Sequence, residues 1–277
     1  MKRQNKIERP LGRGKVLAVV GLVAVVGAAI AVAAAYGKLR DLWLEQCVIR
    51  DATAQVRVTH GRMVMPDVIM DEFGLRNGAN LALIDFDERR RAVLKKIPNI
   101  RAIDVRRHLP DRVSIDIEER VPVARMNYRG NRGDPGKVAD TDGVVFIWQR
   151  GTEMLPVIRE PQAPGTATGC ALTGRTLAAL RLVEAVREPG YGELGILTVD
   201  VSKPDYLVAT LADYSTLKIT WAGMDEPTAA NRGNLVRKLE GVLKAMRTRV
   251  SQGPTTWNAT DDSDKGYVYA ESKGTLL

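Results

Sequence analysis

The sequence of 277 residues has few of the side chains that build reactive centres. It contains two cysteines and two histidines, and aromatic residues make up 5% of it. These numbers are too small for a disulfide-rich scaffold, a zinc site built from thiolates or a multi-histidine metal centre. The 45% of hydrophobic and 27% of charged residues still predict a folded chain rather than a disordered one.

The net charge of +8 is unevenly distributed. Residues 1–15 carry six basic side chains and one acidic side chain, whereas the other 262 residues carry 35 basic and 32 acidic ones. A nucleic-acid-binding domain concentrates positive charge on its folded part, together with aromatic side chains that stack on bases. We therefore expect no nucleic-acid partner, and the basic N-terminal tail needs another explanation.

An uncharged run directly after this tail predicts a membrane anchor. Residues 16–37 contain no charged side chain, and a helix of this length spans about 33 Å, enough to cross a bilayer. The positive-inside rule then predicts a cytoplasmic N-terminus and exocytoplasmic domains. Because Ala31, Ala33 and Ala35 have the spacing of a cleavage site, a cleaved signal peptide is the alternative, although its apolar region is usually only about 7–15 residues long.

Both cysteines would then lie outside the cytoplasm, where disulfides are permitted. Cys47 follows the anchor closely, and Cys170 lies in a stretch rich in proline, glycine and threonine. Nothing in the sequence brings the two together. The sequence thus favours unpaired thiols without deciding the question.

The hydrophobic pattern of residues 54–121 predicts a small domain. An alternating strand near residues 54–60 is followed by two helices, one opened by Pro66 and one ended by Pro98. Two further alternating runs, 100–105 and 113–117, predict a hairpin. The order strand, helix, helix, strand, strand gives a small sheet with two helices on one face.

Short motifs in this region occur in a recognisable order. They are a G-x-N-L turn at 78–81, a helix ending in proline at 97–100, V-x-R-x-x-P at 105–110, E-R-x-P-V-A at 119–124 and D-x-D-G-x-V-F at 140–146. Together with a single N-terminal anchor, this set resembles the FtsQ-type POTRA domain of the bacterial cell-division family FtsQ (DivIB). The resemblance implies an exocytoplasmic POTRA domain followed by a β-domain.

The second half of the chain predicts an α+β continuation that is similar to the β-domain of that family. Its pattern indicates a helix at 176–187, three strands within 196–221, a longer helix from Pro227, and two final strands near 255–260 and 266–270. The full prediction is an α+β chain with a basic tail (1–15), a transmembrane helix (16–37), a juxtamembrane linker (38–53), a POTRA domain (54–121), a mixed β-domain with two helices (122–271) and a C-terminal tail (272–277).

One motif suggests chemistry. Asp140 and Asp142 match the D-x-D-G sequence of Mg²⁺-dependent phosphatases, which place the first aspartate after a buried parallel strand. Only Val138 and Ala139 precede it as apolar residues, and Asp-Gly favours hairpin turns. No nucleophile elbow, phosphate-binding loop or zinc-protease motif occurs, and His60 and His108 are isolated. We therefore predict a turn and a protein without catalytic residues, cofactor, metal or small-molecule substrate, with an anchored phosphatase as the alternative.

Without a catalytic motif, function is expected to lie in a binding surface. The resemblance implies that FtsB adds a strand to the last strand of the sheet, whose edge offers unpaired backbone groups. Residues 256–259 lack the aspartate and arginine often found in the family, which leaves the register of docking open, and Tyr267 and Tyr269 alternatively pack on the long helix. The predicted partner-binding residues are Trp257, Gly266, Tyr267, Val268, Tyr269 and Ala270.

The resemblance implies a divisome scaffold in the bacterial cytoplasmic membrane. Such a protein binds FtsB and FtsL, contacts other divisome components through its POTRA domain, and links assembly of the division ring to septal peptidoglycan synthesis. The alternative is a factor for envelope assembly or protein translocation, because POTRA domains also serve there by strand addition. Neither repeated POTRA units nor a membrane barrel is evident in the sequence.

Overall fold

The computed structural model describes residues 13–128, 136–161, 165–248, 255–261 and 268–271. These residues divide into two compact units. The first comprises the described residues up to Thr59 together with Asp67–Phe86 and Val105–Ile115, and the second comprises His60–Pro66, Asp87–Asp104 and the described residues from Asp116 onward. The described residues contain both helices and strands, and the strands form two sheets, so the predicted α+β class is confirmed.

Helix α1 (Arg13–Gln46) contains the predicted membrane span. Its part Gly21–Gln46 contains an 18-residue window with a mean hydropathy of 2.0 and is long and apolar enough to cross a membrane. The apolar run at 16–37 is rich in alanine and valine and lacks proline, and the absence of proline permits an uninterrupted helix. The helix continues past Gly37 through the stretch predicted to be a linker, and it leads directly to Cys47.

The predicted order strand, helix, helix, strand, strand is present after α1. The prediction of a strand from Ala54 is wrong at its start, because Asp51 accepts a hydrogen bond from the backbone N–H of Thr53 and begins a helical turn. The three strands form a sheet in the order β1-β3-β2. The elements are α2 (Ala52–Gln55), β1 (Val56–Thr59), α3 (Pro66–Phe73), α4 (Phe86–Lys96), β2 (Ile100–His108) and β3 (Arg112–Glu119).

Aromatic packing is prominent in the first unit. The ring centroids of Phe73 and Phe86 lie 6.1 Å apart, and the Arg107 guanidinium lies 4.8 Å from the Phe86 centroid. Ile49 and Leu81 are fully buried. The unit therefore has an apolar core of its own.

The second unit is built on a nine-stranded sheet with the strand order β12-β11-β10-β9-β8-β7-β4-β5-β6. Strand β7 pairs in parallel with β4 and β8, and β10 pairs in parallel with β11; the other pairs with a recorded register are antiparallel. The strands are β4 (Ala124–Tyr128), β5 (Lys137–Ala139), β6 (Val145–Ile147), β7 (Val157–Glu160), β8 (Ile196–Asp200), β9 (Tyr206–Leu211), β10 (Thr216–Thr220), β11 (Thr256–Ala259) and β12 (Tyr269–Glu271).

Helices α5 (Gly174–Val186) and α6 (Ala229–Arg247) contribute to the core of the second unit, and a short 3₁₀ helix (Gly192–Leu194) follows α5. The side chains of β9 alternate: Leu207, Ala209 and Leu211 are buried, whereas those between them are half-buried. The buried side chains of β9 all lie on one face of the sheet, and this face packs against the core. The predicted mixed β-domain with two helices is confirmed.

Candidate partner-binding edge

Strand β12 forms one edge of the nine-stranded sheet. It pairs with β11 in the register Thr256 with Glu271, Trp257 with Ala270 and Asn258 with Tyr269. Among the residues that the structure describes, none pairs with the outer side of β12. Since backbone groups on an antiparallel strand point alternately to its two sides, one of Tyr269 and Ala270 directs its N–H outward.

The opposite edge of the same sheet, β6, is covered. The N–H of Val145 donates to the carbonyl of Cys170 at 2.9 Å, and the carbonyl of Val145 accepts from the N–H of Gly169 at 2.7 Å. The Asn99 side-chain amide donates to the carbonyl of Ile147 at 2.7 Å. The β6 edge is therefore covered, whereas the outer side of β12 has no described neighbour.

The structure places three of the predicted partner-binding residues on the two last strands and a fourth, Val268, directly before β12. Trp257 on β11 is only 2% exposed and belongs to the core, whereas Ala270 is exposed on β12. Val268 is half-buried and packs against the core. Tyr269 lies in β12 opposite Asn258, and the predicted Gly266 and Tyr267 lie outside the described residues.

The buried indole of Trp257 makes no hydrogen bond through Nε1 to any described residue. Its apolar ring nevertheless stabilises the sheet next to the edge, because it packs against the core cluster beneath β10 and β11. Trp257 thus contributes to the core beside the edge strand and is not itself part of an exposed binding surface.

The E-R-x-P motif ties two neighbouring segments of the second unit together. The Glu119 carboxylate accepts hydrogen bonds from the backbone N–H groups of Arg62, Met63 and Val64 at 2.8–2.9 Å. A Cβ on Gly61 would lie 2.3 Å from a Glu119 oxygen, so a larger residue there would have to displace the carboxylate.

The arginine of the motif makes a buried ion pair. The Arg120 guanidinium donates to Asp140 Oδ2 at 2.5 Å, and the two side chains are 14% and 3% exposed. Arg120 Nε also donates to the carbonyl of Pro98 at 3.1 Å. The pair therefore fixes the end of the α4 segment next to the β5–β6 hairpin. Arg120 and Asp140 both lie in motifs, but they are 20 residues apart, so the sequence does not predict their contact.

Asp140 and Asp142 belong to a hairpin turn. Asp140 Oδ1 accepts from the N–H of Val144 at 2.9 Å, and Gly143 has a φ of +79°, a left-handed conformation suited to glycine. Strand β5 before the turn pairs antiparallel with β4 and β6. Asp142 is 43% exposed and pairs with Arg101 at 3.0 Å. The predicted turn is confirmed, and both Asp140 oxygens are occupied by structural hydrogen bonds.

The G-x-N-L motif binds the end of helix α1 within the first unit. The side-chain amide of Asn80 donates to the carbonyl of Leu44 at 2.8 Å, which satisfies one of the last carbonyls of the helix. The N–H of Leu81 donates to the carbonyl of Cys47 at 2.9 Å. Cys47 is fully buried at this junction, Cys170 is exposed, and both thiols are free.

Comparison with known proteins agrees with this fold. Residues 52–120, about a quarter of the chain, match the family model described as the POTRA domain, FtsQ-type. No curated protein matches the chain. Residues 52–120 thus form an FtsQ-type POTRA domain, which supports a divisome-type scaffold in general.

The FtsQ-type match supports the resemblance to the bacterial cell-division family FtsQ (DivIB) over this domain. The apolar N-terminal helix is the one candidate span among the described residues, and it fits a single-pass membrane protein. A role in protein–protein interaction during cell division follows.

Proposed function

We propose that this protein is a non-enzymatic divisome scaffold that binds FtsB and FtsL type proteins and links assembly of the division ring to septal peptidoglycan synthesis. The observation that carries the proposal is the open edge at β12, in a sheet whose other edge at β6 is covered. An extended partner segment adds to β12 through backbone hydrogen bonds, and side chains beside the edge give specificity.

The domains lie on the exocytoplasmic side in this proposal. The six basic side chains before residue 16 precede the apolar part of α1, which supports a cytoplasmic N-terminus. The POTRA domain and the β12 edge then face partners that also have exocytoplasmic segments. POTRA surfaces remain available to further divisome components.

The test uses the full-length protein co-expressed with full-length FtsB and FtsL type partners. Proline removes a backbone donor and is tolerated at sheet edges, so Tyr269→Pro and Ala270→Pro between them remove the outward N–H of β12. The matched control Ala270→Thr keeps the N–H and the β-strand preference. We expect co-purification of the partners to be lost in one proline variant and retained in Ala270→Thr.

Circular dichroism of each variant checks that the fold is intact. Retention of both partners by both proline variants contradicts docking at β12. If the unmodified protein captures translocation or envelope-assembly proteins in place of FtsB and FtsL, the divisome role is wrong even though the edge is a binding site.

A further inference from the structure

The turn after the G-x-N-L motif carries an exposed leucine beside the end of helix α1. Leu83 is 73% exposed, although Leu81 two residues earlier is fully buried. The N–H of Leu83 donates to the carbonyl of Asn80 at 3.0 Å, which closes a turn and keeps the two Cα atoms within about 7 Å of each other. Single exposed leucines are common on soluble proteins, so the position of Leu83 relative to the membrane decides what its exposure means.

Asn80 holds this turn at the height of the last turn of α1. Its side-chain amide donates to the carbonyl of Leu44 at 2.8 Å, and its Oδ1 accepts from the N–H of Ala82 at 2.9 Å. One side chain therefore binds both the end of the helix and the turn. Leu44 belongs to the candidate span Gly21–Gln46, so the turn lies beside the end of this span and not beyond it.

The backbone pairing directs the turn back toward the membrane. Val48 and Asn80 form an antiparallel bridge. The segment that contains Val48 leaves the membrane directly after α1, so the segment 78–81 runs in the opposite direction, toward the bilayer. Leu83 follows this segment and lies on its membrane side.

Trp43 marks the level of the lipid headgroups. Tryptophan is enriched at membrane–water interfaces, and Trp43 is 45% exposed three residues before α1 ends at Gln46. These three residues add about 4.5 Å to the helix. The headgroup layer is about 5–8 Å thick, since a bilayer measures about 40–45 Å with its headgroups and about 30 Å without them. The turn bound to Leu44 therefore lies within this layer.

We propose that Leu83 inserts into the headgroup region of the leaflet at which α1 ends. The occupant is the lipid bilayer, because this surface continues the lipid-covered surface of α1, where Leu42 is 58% exposed. Moving a leucine side chain out of water is favourable. The first unit then touches the membrane at two places, at α1 and at Leu83, which fixes its orientation about the helix axis.

Fluorescence quenching by labelled lipids tests this contact in full-length protein. In a Cys47→Ala, Cys170→Ser background, Leu83→Cys carries a bimane label, and the vesicles of phosphatidylethanolamine and phosphatidylglycerol contain lipids with a nitroxide on the headgroup. The matched control is Arg76→Cys with the same label, because Arg76 is exposed and precedes the segment that runs toward the bilayer. We expect loss of fluorescence at residue 83 and little loss at residue 76. Circular dichroism checks that both variants are folded.

Equal quenching at the two positions, or none at residue 83, overturns the proposal. Adding Asn80→Ala to the Leu83→Cys variant should weaken the quenching, because the turn is then no longer bound to the carbonyl of Leu44. Unchanged quenching in that double variant contradicts the placement of the turn by Asn80. No partner protein is present in the vesicles, so the result is independent of docking at β12.

Discussion

Among single residues, Asp140 has a contact that its motif does not reveal. A carboxylate in D-x-D-G invites a catalytic interpretation, but here it neutralises Arg120 and accepts the Val144 N–H at the turn. Removing one partner of a buried ion pair leaves the other charge uncompensated, which costs about 3–5 kcal/mol. We expect Asp140→Ala to lower the free energy of unfolding by about 3 kcal/mol, the lower end of that range, because Arg120 keeps some contact with water.

The neighbouring Asp142 provides the matched control. Its side chain is 43% exposed, and exposed ion pairs contribute about 1 kcal/mol or less. We expect Asp142→Ala to change the free energy of unfolding far less than Asp140→Ala. Urea titrations followed by tryptophan fluorescence measure both. Equal losses for the two variants contradict the structural role of the buried pair.

The sequence predicted the turn at Asp140 because Asp-Gly is a strong local signal. It did not predict the ion pair with Arg120, because contacts between residues far apart depend on how the strands and helices pack. The same limit applies to Glu119, whose carboxylate holds the backbone of residues 62–64. The sequence thus identified the motif residues but not the contacts that these residues make in the folded chain.

At the level of elements, the end of helix α1 is joined to the rest of the first unit by the G-x-N-L turn. The Asn80 amide holds the carbonyl of Leu44, and Cys47 is buried beside this contact. Losing a hydrogen bond costs about 1 kcal/mol, which raises the population of an undocked helix end roughly fivefold. We expect Asn80→Ala to speed maleimide modification of Cys47 by about this factor, measured on full-length protein carrying Cys170→Ser.

Asn77→Ala is the matched control for this element. Asn77 lies in the same turn, but its side-chain oxygen accepts from the N–H of Ala52 and does not contact the helix end. The Asn77→Ala substitution should leave the modification rate of Cys47 closer to that of the protein with both asparagines intact. If Cys47 is modified at the same rate in Asn80→Ala and in the Asn77→Ala control, the hydrogen bond from Asn80 does not hold the end of α1.

The Cys47 thiol gives this junction a pH dependence. Burial, and then the nearby Asp111 carboxylate, raise the pKa of Cys47 above its ordinary value of 9.0. Because the folded state holds the proton more tightly, this contribution to stability is fully present below pH 9.0 and is lost as the pH rises through the folded-state pKa. We expect the midpoint of Cys47 modification against pH to lie above 9.0, and to fall to the ordinary value when the chain is unfolded in urea.

Element types were largely predictable, whereas some boundaries were not. Alternating and helical periodicities located β9, β10, α5 and α6 because each buries one face. The turn of helix before β1 was missed because the capping of Asp51 competes with the alternation that predicts a strand. The extension of α1 to Gln46 was missed because charged residues end the apolar run but do not end the helix.

For the whole molecule, the two cysteines report the membrane topology. Cys170 is exposed and Cys47 is buried, so a membrane-impermeant maleimide reacts first with Cys170 when that side is accessible. With an exocytoplasmic domain, we expect Cys170 to be labelled in intact spheroplasts and the Cys170→Ser variant to be labelled weakly. Labelling of Cys170 only after lysis reverses the proposed topology.

The proposed docking edge could be predicted from the sequence only by family resemblance. Residues 266–270 have the alternation of a strand, but an edge is a property of the complete sheet, in which β12 comes last and β6 is covered by residues distant in sequence. The burial of Trp257 likewise depends on α6 and the parallel β10–β11 pairing. Local patterns contain neither contact.

Amide hydrogen exchange at β12 is the most direct measurement of the central claim. Strand addition buries the outward N–H of Tyr269 or Ala270 in a new hydrogen bond. Adding an FtsB type partner to the full-length protein should therefore slow exchange in the β12 segment and leave β6 unchanged. A bound partner with unaltered exchange at β12 contradicts strand addition at this edge.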